Sequence, residues 1–419
     1  MPEGDLADKH LSELHAAAAK LGVPGYRMLR RDRLIEEIEV RGEGGQEVDE
    51  LEAGTEVEEP AAEEAEERRD AATEQVSGVL DITYRGYGFL RLRGLEPSPG
   101  DVYISASQIR RCELRLGDLV SGPARQPERG ERYPALVHVD LVNGAAPGDA
   151  DRPDLDELTP VPPCRRVSLE PDEGDVLTRA VDLLVPLALG QRVLIRAAPR
   201  SGRTTLLRGL AGAIQRSPER PALVVLLVDE RPEEATAWAE LLPDDELAVA
   251  TAEMSPREQS RVADLALERA KRRAEGGEEV VLIVDSLSRL AVAQREPGDV
   301  KHVFGAGREL AEDESGSLTV IATTLDGAAD EGAALAAVET TENVVVRLDP
   351  ELAAAGAYPA LSVGETRTSG EDELREPQEL EAVRRLRLEL AGNEPAEAAD
   401  ALRERIERSR SNAELLGSL

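Results

Sequence analysis

The segment AAPRSGRTT, Ala197 to Thr205, follows the apolar run QRVLIR and leads into a helical stretch from Thr204. A strand, a turn of small residues and a helix start form the setting of a phosphate-binding loop, G-x-x-x-x-G-K-[ST]. In such a loop backbone N–H groups cradle phosphates, the Lys neutralises them, and the hydroxyl serves Mg²⁺. Here Ala197 takes the place of the first Gly, and Gly202 is the second. Arg203 stands where the Lys belongs, and Thr204 supplies the hydroxyl. Taken alone, the segment fits an ordinary strand–turn–helix junction as well as it fits a nucleotide site.

Two further segments decide between these readings. VVLLVDERPEE, Val224 to Glu234, places Asp229, Glu230 and Arg231 at the end of a continuous apolar strand, and VVLIVDSLSRLA, Val280 to Ala291, ends another at Asp285. Carboxylates at the carboxyl ends of parallel strands lie where α/β sheets bind ligands. One can orient an attacking water and another support Mg²⁺. SLTVIATTL and NVVVRLD add two more buried-type strands alternating with helical stretches. The pattern predicts a mostly parallel sheet covered on both faces, a RecA-like P-loop ATPase domain over 165–419 with a helical C-terminus from about Pro377.

Upstream the periodicity changes. Residues 76–143 hold GVLDITY, GFLRLR, DVYIS, DLVSGPA and PALVHVDLV, short strands separated by Gly and Pro that predict a small barrel. Residues 144–164 form a Pro/Asp-rich connector. Residues 1–42 show apolar residues at helical spacing broken at Gly22–Gly25, a small helical unit. Between unit and barrel, 43–75 is expected to be a disordered acidic linker, with thirteen acids against two arginines over 43–70.

The net charge of −34 excludes a general polyanion binder, yet residues 77–143 balance nine arginines against eight acids. Tyr84, Tyr87, Phe89, Tyr103 and Tyr133 all fall there, although the chain has only six Tyr, two Phe and one Trp. Single-stranded RNA stacks on exposed aromatic faces backed by Arg. Tyr87 and Phe89, in G-Y-G-F before Arg91, read as such a platform, whereas Tyr84 reads as barrel core. Cys112 and Cys164 share no metal or disulfide spacing, which suits a reducing cytoplasm. No apolar run is long enough for a bilayer and MPEGDLADKH is not a secretory signal, so a soluble protein is expected.

The strings APRSGRTTLL, LLVDERPEE, IVDSLSRLA and FGAGRELAEDESGSLTVIATTL resemble, in order, the signature segments of the Rho family of bacterial transcription terminators. RGYGFLRLR, DVYISASQIRRCELRLGDLVSG and RGERYPAL resemble its cold-shock-type OB-fold, which implies an OB-fold RNA-binding domain over 76–143. The resemblance implies an RNA-dependent ATPase using ATP and Mg²⁺, a homohexameric ring, single-stranded nascent RNA as ligand and the RNA polymerase elongation complex as partner. It places Pro199, Arg200, Ser201, Gly202, Arg203, Thr204 and Thr205 around the phosphates, Thr204 and Asp285 at the metal, and Glu230 as catalytic carboxylate beside Arg231. Tyr358 would pack on adenine, and Arg367 would be the arginine finger. Tyr87, Phe89, Arg91, Asp101, Tyr103, Glu131 and Tyr133 would line the RNA site.

The chain also departs from that pattern. Only Gln294 to Val303 stands where the family has a longer Gly-rich, basic channel loop, and Glu339 stands where a Lys is expected. GETRTSGED leaves the finger to Arg367, or loses it at Ser369, and an Arg for the Walker Lys is not conservative. Two readings therefore remain open: a translocating termination motor, and a paralogue that binds RNA and nucleotide as a regulator without translocating.

Overall fold

The computed structural model describes residues 73–148, 152–170, 175–243, 246–293, 297–311, 316–327 and 331–419. The expected N-terminal helical unit and nearly all of the acidic linker lie outside these residues. Within them, Gln126–Arg132 belongs to a unit of its own, and everything else forms a single compact unit.

The first part of that unit is a closed barrel of β1 (Thr73–Ile82), β2 (Gly88–Arg91), β3 (Val102–Ile104), β4 (Leu119–Arg125) and β5 (Ala135–Leu136), with β6 (Leu141–Val142) on β4. The order β1-β2-β3-β5-β4 closes because β1 also pairs β4. Strand alternation sorts the side chains: Leu80, Leu90 and Val102 sit opposite one another inside, while Asp81, Phe89 and Tyr103 form a row outside. Helix α1 (Ala106–Arg111), held by a Ser105–Gln108 capping box, buries Ile109 in the same core. The β1–β4 ladder runs from Val79↔Leu119 to Thr73↔Arg125. Residues 73–75 are therefore strand, not linker, because β4 is long enough to pair them.

The larger part is a twisted sheet. Its strands are β7 (Pro160–Val161), β10 (Arg192–Ala197), β11 (Ala222–Glu230), β12 (Leu247–Thr251), β13 (Glu279–Asp285), β14 (Arg308–Leu310), β15 (Ser317–Leu325), β16 (Val344–Leu348) and β17 (Arg367–Thr368), while β8 (Arg166–Val167) and β9 (Leu187–Ala188) form a separate ribbon. The main path is β12-β11-β13-β15-β10-β16-β17, parallel except for the last pair. Both faces are buried, as the unbroken apolar strands require. Val193, Ile195, Val225 and Leu227 face a core shared with α2 (Val176–Leu184), α3 (Arg203–Arg216) and the C-terminal helices Pro377–Ala391 and Pro395–Arg408. Leu194, Val224, Leu226 and Val228 face the opposite core, shared with α5 (Pro256–Glu275) and α6 (Leu287–Ala293); α4 (Pro232–Ala239) follows β11. The expected connector contributes β7, which pairs β14 at the sheet margin.

The barrel is fastened to the sheet through α5. Val79 and Leu95 join the α5-side core, Arg115 pairs with Glu275 at 2.9 Å, Arg261 pairs with Asp81 at 3.1 Å, and the Glu96 carboxylate accepts the Val249 N–H. Gly117, at φ +85°, lies against the α5 backbone, where a Cβ would meet Arg269 N and Glu268 C at 2.5 Å. Gly117→Ala is therefore expected to lower the unfolding free energy by roughly 2 kcal/mol or more, read from urea denaturation. At the sheet margin Glu309 is 3% exposed; burial and the neighbouring Glu279 push its carboxyl up to about 6 although Arg165 opposes them. Because the folded carboxyl holds its proton more tightly than the unfolded one, Glu309 costs stability as the pH rises through about 6 and costs nothing below about 4.5. Glu309→Gln is expected to gain about 2 kcal/mol over wild type at alkaline pH and nothing in acid, a difference that parallel melts at the two pH values measure.

Candidate nucleotide site and nucleic-acid interface

The loop after β10 is built to leave backbone N–H groups exposed at a helix start. Ser201 is buried and turns back on Ala198, its N–H and Oγ both donating to the Ala198 carbonyl at 3.2 and 2.7 Å. Arg200 and Gly202 adopt φ of +66° and +93°. Gly202 is the N-cap of α3 and offers no side chain to the first turn. The N–H groups of the α3 first turn and the helix dipole thus face the loop, an anion-binding arrangement. Pro199, Arg200 and Thr205 are exposed, and Thr204 is half-buried.

Three strand ends converge on this helix start. At the end of β11 the register with β12 slips between Val228 and Glu230, and Asp229 takes φ +53°. This bulge leaves Asp229 exposed and turns Glu230 inward to 6% exposure. Asp285 ends β13 fully buried, its Oδ1 accepting from Thr323 Oγ1 at 3.0 Å. Arg203 bridges the two acids: Nη2 donates to Glu230 Oε1 at 2.6 Å, and Nε lies 3.1 Å from Asp285 Oδ1. Arg289, in the first turn of α6, also pairs with Glu230 and donates to the Val228 carbonyl at 3.3 Å. Burial raises the Asp285 carboxyl above its ordinary value, with Arg203 pulling it down and Glu230 pushing it up. Arg289 and Thr323 escape sequence reading; the only sign of Arg289 is its spacing of four from Asp285, which places it beside the strand end one helical turn later.

The other expected residues separate. Arg231 caps α4 with its side chain exposed, and only its N–H approaches Glu230, at 3.4 Å. Tyr358 is exposed and donates to the Asp175 carboxylate at 3.0 Å; burial of the hydroxyl, then Asp175, raise it above its ordinary range. Arg367 lies on edge strand β17, loosely facing Glu342 at 3.8 Å. Five strand steps separate β17 from β11, about 24 Å at ordinary strand spacing, so Arg367 does not reach the Glu230 of its own chain. Glu339 is exposed after helix Glu331–Val338, whereas Gln294–Glu296 are outside the described residues.

On the barrel, Tyr87, Phe89, Tyr103 and Tyr133 form a cluster. Ring centroids lie 5.0 Å apart for Phe89–Tyr133, 5.6 Å for Tyr87–Tyr103, 5.9 Å for Tyr87–Phe89 and 6.1 Å for Phe89–Tyr103. The three tyrosines are half-buried, but Phe89 is only 8% exposed, so it supports the platform rather than presenting it. Arg91 and Asp101 depart further from expectation. Both are buried: Arg91 is clamped between Asp81 and Asp101, and Asp101 also accepts from Ser98 N–H and Oγ, each at 2.8 Å. They position the platform from beneath because α5 covers that end of the outer row. Tyr84, expected in the core, is the reverse case at 65% exposed, since it sits in the β1–β2 turn beyond the ladder. Glu131 belongs to the Gln126–Arg132 unit, where its carboxylate accepts the Glu128 N–H at 2.8 Å.

The family models for the Rho termination factor RNA-binding domain and N-terminal domain match residues 76–148 and 5–40. That of the ATP synthase alpha/beta family nucleotide-binding domain matches 178–302. Transcription termination factor Rho of Aquifex aeolicus is 34% identical over 440 residues, covering 99% of this chain and 95% of the relative. The chain belongs to the Rho family. Rho of Bacillus subtilis is 35% identical over 82% of this chain and 84% of its own length. Rho of Mycobacterium tuberculosis is also 35% identical, over 84% of this chain, which spans 62% of that longer relative. An ATPase of the type III secretion system of pathogenic bacteria shares the fold at TM-score 0.52 and 21% identity, over 67% of this chain and 93% of its own. In this Rho-family chain the barrel is therefore an RNA-binding domain and the sheet a nucleotide-binding domain. No helix among the described residues is long and apolar enough to cross a membrane. Arg91→Ala leaves Asp101 buried without its cation, and is expected to cost about 3 kcal/mol or more of stability in chemical denaturation.

Proposed function

We propose that this Rho-family chain is a transcription termination factor that binds single-stranded nascent RNA on its barrel and uses ATP in a RecA-like ring motor. The carrying observation is the convergence of Arg203, Glu230 and Asp285 on the α3 N-terminus, within a chain similar to Rho over 99% of its length. In this reading 73–143 is the RNA domain, 144–164 the connector and 165–419 the motor, with 1–42 and 43–72 as helical unit and linker.

The residues divide the work by their chemistry. The loop 199–205 takes the phosphates on its N–H groups, with Arg200 and Arg203 as cations. Arg203 is shared between phosphate and carboxylates: a bound phosphate draws the guanidinium toward itself, releasing Glu230 to accept a proton from the attacking water. Arg289 keeps Glu230 oriented in that state. Thr204 and Asp285 are oxygen donors of the kind Mg²⁺ takes, and the guanidinium 3.1 Å from Asp285 already shows positive charge accommodated there; when bound, Mg²⁺ neutralises phosphate charge. Tyr358 offers an exposed ring to adenine. Arg367, on an edge strand far from its own Glu230, serves a neighbouring subunit's site, which a homohexameric ring provides. Tyr87, Tyr103 and Tyr133 stack bases. The RNA polymerase elongation complex is the partner and the cytoplasm the compartment, both by family.

Phosphate release measured with and without single-stranded RNA tests this. Wild type is expected to be RNA-stimulated, and Glu230→Gln to turn over at least about 100-fold more slowly while still binding nucleotide. RNA binding with no RNA-stimulated release from wild type overturns the motor and leaves an RNA-binding regulator.

A further inference from the structure

The β1–β2 turn carries an aromatic outside the four-ring cluster. Tyr84 is 65% exposed and precedes Tyr87 in a tight turn closed by the Thr83 N–H donating to the Tyr87 carbonyl at 2.8 Å. Two guanidiniums flank its ring. Arg85 lies 5.5 Å from the ring centre, with Nε donating to Tyr84 Oη at 3.0 Å. Arg257 lies at 5.6 Å and comes from the motor domain, in the first turn of α5. Asp81 holds Arg91 and Arg261, and Glu258 completes the capping box with Ser255. In a chain of net charge −34, barrel and motor together display an exposed aromatic ring with two guanidiniums beside it.

We infer that Tyr84, Arg85 and Arg257 form a second RNA contact, receiving the strand as it leaves the Tyr87–Tyr133 cluster and carrying it onto α5. A base stacks on the Tyr84 ring and its flanking phosphates meet the guanidiniums, the combination by which single strands are held without sequence readout. Continuity with the cluster through one turn supplies the path, and the opposite charge of the phosphates supplies the attraction. The contact has a mechanical consequence. Helix α5 packs on the sheet face formed by Val228 and Val284, the residues beside the Glu230 and Asp285 strand ends, so RNA seated at Arg257 bears on the element that backs the nucleotide site. This inference rests on the barrel's role in RNA binding proposed above.

Binding of labelled oligouridines of about 4 and about 12 nucleotides, lengths within the range of OB-fold sites, tests it on the full chain across a salt series. Tyr84→Ala is expected to weaken the longer strand about tenfold and leave the shorter one unchanged. Arg257→Gln is expected to lower the salt slope for the longer strand by about 0.7, one phosphate contact. Tyr84 and Arg257 are exposed, so unchanged melting curves are expected and separate lost binding from lost fold. Variants indistinguishable from wild type with the longer strand overturn the second contact while the barrel site stands. Wild type that binds neither strand removes the barrel reading and this contact with it.

Discussion

Asp81 is the residue on which the arrangement of the two domains turns. One oxygen receives Arg91 from the neighbouring barrel strand, and the other receives Arg261 from α5 of the motor. A buried carboxylate needs such partners to remain ionised in an apolar setting. By taking one from each domain it fixes which end of the barrel's outer face is closed. The row at Val79 and Arg91 is packed against α5, and in the next row Asp81 and Phe89 are still buried while Tyr103 is half-exposed. The aromatic cluster of Tyr87, Tyr103 and Tyr133 lies on the barrel surface beyond that contact, half-exposed.

The nucleotide site follows a similar logic of shared charge. Glu230 and Asp285 are both buried, and two like charges at neighbouring strand ends repel each other. Arg203 lies between them, with Arg289 on the far side of Glu230. A lysine at position 203 is a point charge on a flexible stem, whereas the guanidinium fork reaches both acids at once. The substitution that looks damaging in the loop motif is therefore integrated into the site as the cation that holds its acids together.

Much of this was legible before any coordinate. Unbroken Val/Ile/Leu runs announced a sheet buried on both faces, and the order of loop, Glu230 and Asp285 announced what lay at its carboxyl end. The strands β12, β14 and β17 were less readable, because short marginal strands carry little apolar signal. Arg91 and Asp101 look like surface residues in sequence, since strand alternation places them outside the barrel; nothing local tells that α5 covers that outside. Tyr84 failed in the opposite direction, because an aromatic one residue past a strand loses the alternation that would have buried it.

The sequence by itself determined the fold class and the placing of Glu230 and Asp285 at strand ends, for these depend on periodicity and on motif order within contiguous segments. The tertiary structure decided what each polar side chain does. It set Glu230 inward through a bulge at Asp229 and buried Arg91 under a helix 170 residues away in sequence, from Arg91 to Arg261. It also placed Arg367 on an edge strand beyond reach of its own site. Those outcomes depend on which surfaces meet and on where charge can be shared, and no local pattern encodes either.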